Sequence, residues 1–387
     1  MGPMGAPDRV WSPAFAVLWV ATFLVFLSFY LLLPVLPVYA LREGVPESAI
    51  GLIIGVFALT AMVFKPWVGW LLDWRGRRGL LLAGAAMFAV ASLLYPLAHS
   101  TAPLLLVRLL HGAGMGLFPT AGVAVVADLA PPERRGEAMG FFGMAANLAM
   151  GVGPVVGVAL DQQLGFVALC LGGALLAALG TALSLRVAET GTPAPPPPFR
   201  LGGLFAPAAF HPAAIALALY LTYGAVISFL PLLTQARAAG NPGAFFGLMA
   251  AALLVVRARA GQLSDRHGRQ AVVLPAMALT AAALGLLAGA RSAWGIHAAG
   301  LLFGLGFGCA QPALMAWAAD RVGPADRGKA MGTFYTAWEL GIGGGAILAG
   351  LGLPYTGFDG LFGVTAAVAL LGGALALWRG DPRPTPG

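Results

Sequence analysis

Long apolar runs broken by short polar clusters fill the chain from residue 14 to residue 379. The runs are continuous, so they predict helices and not the ~10-residue alternating strands of a membrane barrel. Crossing the hydrocarbon core takes ~20 apolar residues, and about 32 per helix and loop leaves room for twelve. Spans are predicted at 14–40, 49–72, 79–98, 102–126, 137–160, 164–186, 210–235, 243–262, 271–290, 294–318, 329–352 and 358–379. Between the sixth and seventh lies Thr190–Phe199, polar and Pro-rich, which reads as an extended linker. The expected organisation is an N-terminal six-helix bundle over 1–188, a cytoplasmic linker over 189–208 and a C-terminal six-helix bundle over 209–387.

Composition agrees with this pattern. Only 10% of residues are charged and 59% are apolar. A soluble domain carries about 25% charged residues, so a soluble enzyme is excluded. Cys170 and Cys309 fall in apolar runs, which implies neither a disulfide framework nor a metal site. The net charge of +7 does not require a nucleic acid, because cytoplasmic loops collect Lys and Arg. Most basic residues, among them Arg75, Arg77, Arg134, Arg266 and Arg327, fall on one side, and Arg42, Arg237 and Arg291 on the other. Both termini are therefore expected in the cytoplasm, in a bacterial-type inner (plasma) membrane. No nucleotide-binding loop is present, so ATP is not expected as the energy source.

The two halves repeat at an offset of 192 residues. Gly69, Asp73, Gly76 and Arg77 fall on Gly261, Asp265, Gly268 and Arg269. Gly112, Gly114 and Gly116 fall on Gly304, Gly306 and Gly308, and Asp128 falls on Asp320. Six helices separate the copies, which gives parallel topology and a site at the midplane between two pseudo-symmetric halves.

The loop Gly69-Trp-Leu-Leu-Asp73-Trp-Arg75-Gly76-Arg77-Arg78 resembles the GxLaDrxGrr motif of the major facilitator superfamily. The resemblance covers nearly the whole chain and is nearest to its twelve-helix drug:proton antiporters and sugar-efflux relatives. Leu33-Pro34-Val-Leu-Pro37 is similar to the PxLP ending of their first span. Arg108-Leu-Leu-His111-Gly112 is similar to RxxqG, with His111 where Gln is usual. Gly153, Pro154 and Gly157 match part of the fifth-span motif gxxxGPxxGG, with Ala149 and Val158 departing from it. The resemblance implies an all-α membrane protein of twelve transmembrane helices. It also implies a cytoplasmic gate in which Asp73 faces the eleventh span and Arg77 pairs with Asp128. Gly69 is expected to let helices approach closely, and Gly76 to permit a turn. Arg75 and Arg78 read as topology signals.

Ionisable residues at membrane depth are costly and mark function. Of fifteen carboxylates, Glu339 alone lies deep in a span, ~15 Å from its start. It is the expected proton carrier, since burial raises a carboxyl pKa. Tyr335 and Gly343 share its face, and the repeat places Asn147 at the equivalent position. Arg108 and His111 share a face of the fourth span, and the resemblance links that arginine to proton coupling. Tyr30, Phe26, Met115, Asn147, Tyr220, Tyr223, Gln311, Tyr335 and Trp338 are the expected cavity residues. Lys65 and Arg257 read as snorkelling.

The expected function is secondary active transport of small amphipathic molecules, by proton-coupled efflux through alternating access. No cofactor is expected beyond the proton gradient, and the protein is expected to act as a monomer. An uptake symporter or facilitator on the same fold is the alternative. A membrane-embedded enzyme would need carboxylate pairs, a His/Cys cluster or a large hydrophilic loop, and the sequence has none of these.

Overall fold

The computed structural model describes residues 10–191, 205–323 and 326–378. The described residues are helical, without a strand. The helices are α1 (Pro13–Leu32), α2 (Leu36–Arg42), α3 (Glu47–Arg75), α4 (Arg78–Leu94), α5 (Thr101–Leu129), α6 (Arg135–Ser184), α7 (Phe210–Ala236), α8 (Pro242–His267), α9 (Arg269–Gly289), α10 (Ala293–Asp320) and α11 (Arg327–Trp378). Most of the expected linker, residues 192–204, lies outside the described residues, as do both chain ends.

Among the described residues nine helical stretches are long and apolar enough to cross a membrane, α1 and α2 together making one. α8 makes ten if its two parts, bent by 48°, are one span. α6 and α11 run 50 and 52 residues. Straight helices of that length would reach ~75 Å, more than twice the ~30 Å hydrocarbon core. Each contains a glycine outside helical geometry, Gly165 (φ +84°) and Gly357 (φ +62°). These two helices hold four of the twelve spans expected from the sequence. Beside the second break, Asp359 pairs with Arg237 and, at 2.5 Å, with Arg291.

Local chemistry sets several helix starts. Ser12 caps α1 through Phe15 N (3.2 Å), Asn241 caps α8 through Gly243 N (2.8 Å), and Ser292 caps α10 through Gly295 N (3.3 Å). Buried hydroxyls bond back into their own helices: Thr22 to Leu18 O at 2.8 Å, Ser228 to Gly224 O at 2.8 Å and Thr280 to Ala276 O at 2.9 Å. Each of these hydroxyls is thereby satisfied within its own helix, as an apolar solvent requires. Large side chains such as Val63, Leu106, Leu175 and Leu348 stand exposed. Water would penalise that surface, whereas lipid solvates it.

The residues group into two compact units. One holds the chain before Pro34 and from Thr60 to the linker, the other Pro34–Leu59 and the chain after the linker. In the first unit α6 lies against α1 so closely that a Cβ at Gly157 would collide with the Leu31 carbonyl, and one at Gly153 with Tyr30. The repeated glycines have matching tasks. Gly114 approaches α4 at Gly84 and Met87, and Gly306 approaches α9 at Ala276 and Thr280; Gly116 meets Phe64 of α3, and Gly308 meets Leu253 and Val256 of α8. In the second unit the first half of α3 packs on α11. A Cβ at Gly51 would collide with the Ala346 carbonyl, and one at Gly55 would lie 2.5 Å from the Gly343 carbonyl.

Candidate functional site

The repeated loop motif builds the same ion pair in each unit. In the first, α3 ends at Gly76 with φ +82°, a left-handed turn that favours glycine. The next residue, Arg77, directs Nε to Asp128 Oδ2 at the end of α5, 3.1 Å away. Its Nη1 donates to Leu72 O at 3.3 Å, closing the turn from inside. In the second unit Gly268 (φ +90°) precedes Arg269, whose Nε donates to Asp320 Oδ2 at 2.8 Å. Arg269 Nη1 also donates to Ser264 Oγ at 3.0 Å and to Asp265. Both arginines are mostly shielded, 17% exposed, against carboxylates 30% and 52% exposed. Each pair joins two helix ends, so a displacement of either end must break it.

The first glycine of the motif differs from expectation in this conformation, and its counterpart in the repeat matches it. A Cβ at Gly69 or Gly261 would have no neighbour within 4 Å. Close helix approach is therefore not the reason for Gly69 in this conformation. The side chain of Asp73 lies outside the described residues.

Arg108 and His111 meet through a third residue. The α4 helix ends in a 3-10 turn, Tyr95–Leu97, which points the Tyr95 hydroxyl inward. That hydroxyl lies 3.0 Å from His111 Nδ1 and accepts from Arg108 Nη1 at 3.5 Å. Phe88 (4.6 Å between ring centroids) and Phe29 (5.6 Å) meet the His111 ring edge to face. Tyr95 and His111 have no exposed surface, and Arg108 is 3% exposed. On the same unit Phe26 is buried and stacks on half-buried Tyr30 at 6.3 Å, while Met115 and Asn147 are half-buried.

In the second unit α7, α10 and α11 assemble an aromatic cluster. Tyr220 stacks on Trp338 at 4.5 Å and meets Phe307 edge-on at 5.5 Å. Tyr223 lies 5.0 Å from Phe307, and Tyr335 lies 5.7 Å from Trp338. Gln311 is buried beside this cluster, Tyr335 is exposed, and Glu339 is buried one turn along from Tyr335. Among the described residues, the buried side chains from the set Asp, Glu, His, Lys and Arg are Arg108, His111 and Glu339.

Sequence reasoning missed Tyr95 and three phenylalanines of the cluster: Phe307, Phe303, which stacks on Phe307 at 5.9 Å, and Phe334, which meets Tyr220 edge-on at 6.4 Å. Tyr95 carried a signal, as a hydroxyl beside Pro96 in an otherwise apolar run. The phenylalanines carried none, because lipid-facing and cluster-forming Phe look alike in an apolar sequence.

Comparison with known proteins places this geometry. Residues 18–261 and 213–387 match the model of the Major Facilitator Superfamily. The quinolone resistance protein NorA of Staphylococcus aureus is 30% identical over 141 residues, 36% of each chain. The inner membrane transport protein YajR of Escherichia coli is 35% identical over 162 residues, 42% of this chain and 35% of YajR. The aligned part thus spans about a third of either relative. The human organic anion transporter MFSD10 superposes with a TM-score of 0.69 at 20% identity, over 95% of this chain and 100% of its own. The repeated loop motif, the multi-pass helical architecture and a family match reaching almost end to end lead to one assignment: the chain belongs to the Major Facilitator Superfamily, whose members are membrane transporters and not enzymes.

Proposed function

We propose that the protein exports small amphipathic molecules in exchange for protons, by alternating access, as a monomer in the plasma membrane with both termini in the cytoplasm. The observation that carries this reading is the short inventory of buried ionisable groups: Arg108, His111 and Glu339. Burial of charge is expensive, so a chain that keeps so few buried has a use for each. Glu339 is the group to carry the proton. Arg108 and His111, held by Tyr95, adjust the charge balance as that proton moves. The aromatic cluster around Tyr220 and Trp338 offers flat apolar surface with a few polar anchors, which suits neutral, monocationic or weakly anionic solutes. NorA, by its name a quinolone resistance protein, supports export of this kind.

A second reading, uptake or facilitated diffusion of a small organic solute or sugar, is favoured by one observation. Ala149 and Val158 stand where the antiporter motif has glycines. One assay separates the two. Purified protein in liposomes is given an imposed pH gradient and a panel of dyes and sugars, and wild type is compared with Glu339→Gln. Export coupled to the gradient, lost in Glu339→Gln, is the expected result. Flux indifferent to the gradient and unchanged by the substitution would remove the proton role.

A further inference from the structure

The segment leaving α6 docks on the loop between α3 and α4. α4 starts at Arg78, and Arg77 before it provides no side-chain cap. A helix start leaves backbone N–H groups without intrahelical partners. Here a residue 112 positions away supplies them: Glu189 Oε1 accepts from Arg77 N at 2.7 Å, and Oε2 accepts from Arg78 N at 3.0 Å. The same carboxylate accepts from Gly191 N at 3.0 Å. Next to it the Thr190 hydroxyl donates to Asp128 Oδ2 at 2.7 Å, the oxygen that also pairs with Arg77. Arg78 Nη2 donates to Leu185 O at 2.8 Å. The fit is close. A Cβ at Gly76 would lie 2.5 Å from Glu189 Oε2, and one at Gly191 would collide with the Arg77 guanidinium.

We propose that Glu189 is a positioning residue of the cytoplasmic gate: its carboxylate caps α4, holds the Gly76 turn in place and ties the start of the linker to the Arg77–Asp128 pair. The proposal rests on reading that pair as a gate. A carboxylate at a helix N-terminus gains both from its hydrogen bonds and from the helix dipole. Burial pushes the Glu189 carboxyl up, but the backbone N–H groups of Arg77, Gly191, Arg78 and Thr190 outweigh it and hold the pKa below the ordinary 4.5. With the carboxylate seated, the Arg77 backbone is fixed and its side chain is aimed at Asp128. With it withdrawn, the turn loses its cap and the guanidinium its aim.

The test uses the full chain in liposomes, with Glu189→Gln, Glu189→Asp and Arg77→Ala. Two quantities are read: transport kinetics, and amide hydrogen exchange at Arg77 and Arg78. A lost cap shifts an equilibrium by about threefold to thirtyfold. Glu189→Gln should therefore speed exchange at these amides and lower the maximal rate by up to that factor, with KM unchanged, while Glu189→Asp recovers part of both. Unchanged exchange in Glu189→Gln overturns the proposal. Faster exchange with an unchanged rate, while Arg77→Ala lowers the rate, also overturns it and leaves the gate standing. An unchanged rate in Arg77→Ala overturns the gate itself, and the proposal with it.

Discussion

Two glycines on one helix should respond to alanine with opposite signs. Gly157 and Gly143 both lie in the first half of α6, and both present a helical backbone. At Gly157 a new Cβ would collide with the Leu31 carbonyl of α1, a backbone atom that no rotamer change can move aside. Overpacking of this kind costs about 1–3 kcal/mol. At Gly143 the same Cβ would meet nothing within 4 Å. Replacing a helical glycine there gains about 0.5–1 kcal/mol of backbone entropy. The two substitutions should thus differ by about 3 kcal/mol. A cooperative unit of roughly 150–250 residues shifts its midpoint by about 2–4 °C per kcal/mol, so the separation should be about 6–12 °C. The assay is thermal unfolding of purified protein in one detergent at one concentration, with midpoints compared between the variants only. Equal midpoints, or Gly157→Ala above Gly143→Ala, would mean that α1 and α6 are not in backbone contact and that the fifth-span motif has another purpose.

Three more outcomes follow from the same geometry. Tyr95→Phe keeps the ring but removes the hydroxyl between Arg108 and His111; losing a bond worth about 1 kcal/mol should change the pH profile of transport and lower the unfolding midpoint by about 2–4 °C, and an unmoved profile would detach Tyr95 from the coupling. Exchanging the charges of Arg77 and Asp128 should restore part of the transport that each single reversal removes, whereas no recovery would show that the pair seen at 3.1 Å is not coupled. The Glu189 carboxyl is depressed below its ordinary 4.5, so its contribution is complete above that value and is lost only as pH falls through the depressed one. Exchange at the Arg77 and Arg78 amides, corrected for intrinsic rates, should accordingly stay flat between about pH 6 and pH 8, and a loss of protection within that window would contradict the assigned charge.

What was legible in the sequence, and what was not, has a physical pattern. The all-helical, multi-pass architecture was legible because hydrocarbon demands unbroken apolar runs. The Arg77–Asp128 pair was legible through the family resemblance of the loop motif, and the offset of 192 residues marks Arg269 and Asp320 as its counterparts. A Cβ at Gly69 would meet no neighbour in this conformation, and the letter alone does not separate a glycine that permits close approach from one in open space. Tyr95 was overlooked because its partners come from another helix, and Glu189 because it lies over a hundred residues from the backbone it caps. The near-continuous helical backbone of α6 and α11 was hidden, since Asp161-Gln162-Gln163 before Gly165, and Thr356 and Asp359 beside Gly357, read as loops between spans.

The contact between Gly51 and Ala346 also bears on how the chain is made. These residues stand 295 positions apart in sequence (346 − 51). At about 5–20 residues per second, α11 leaves the ribosome some 15–60 s after α3. Until then the small-residue face of α3 has no glycine partner from α11, and lipid or another helix must cover it. The second unit cannot reach its final packing from its own half of the chain, because Pro34–Leu59 belongs to it. A fragment beginning at the linker would lack that helical segment, and supplying the first half as a separate polypeptide should let the two assemble.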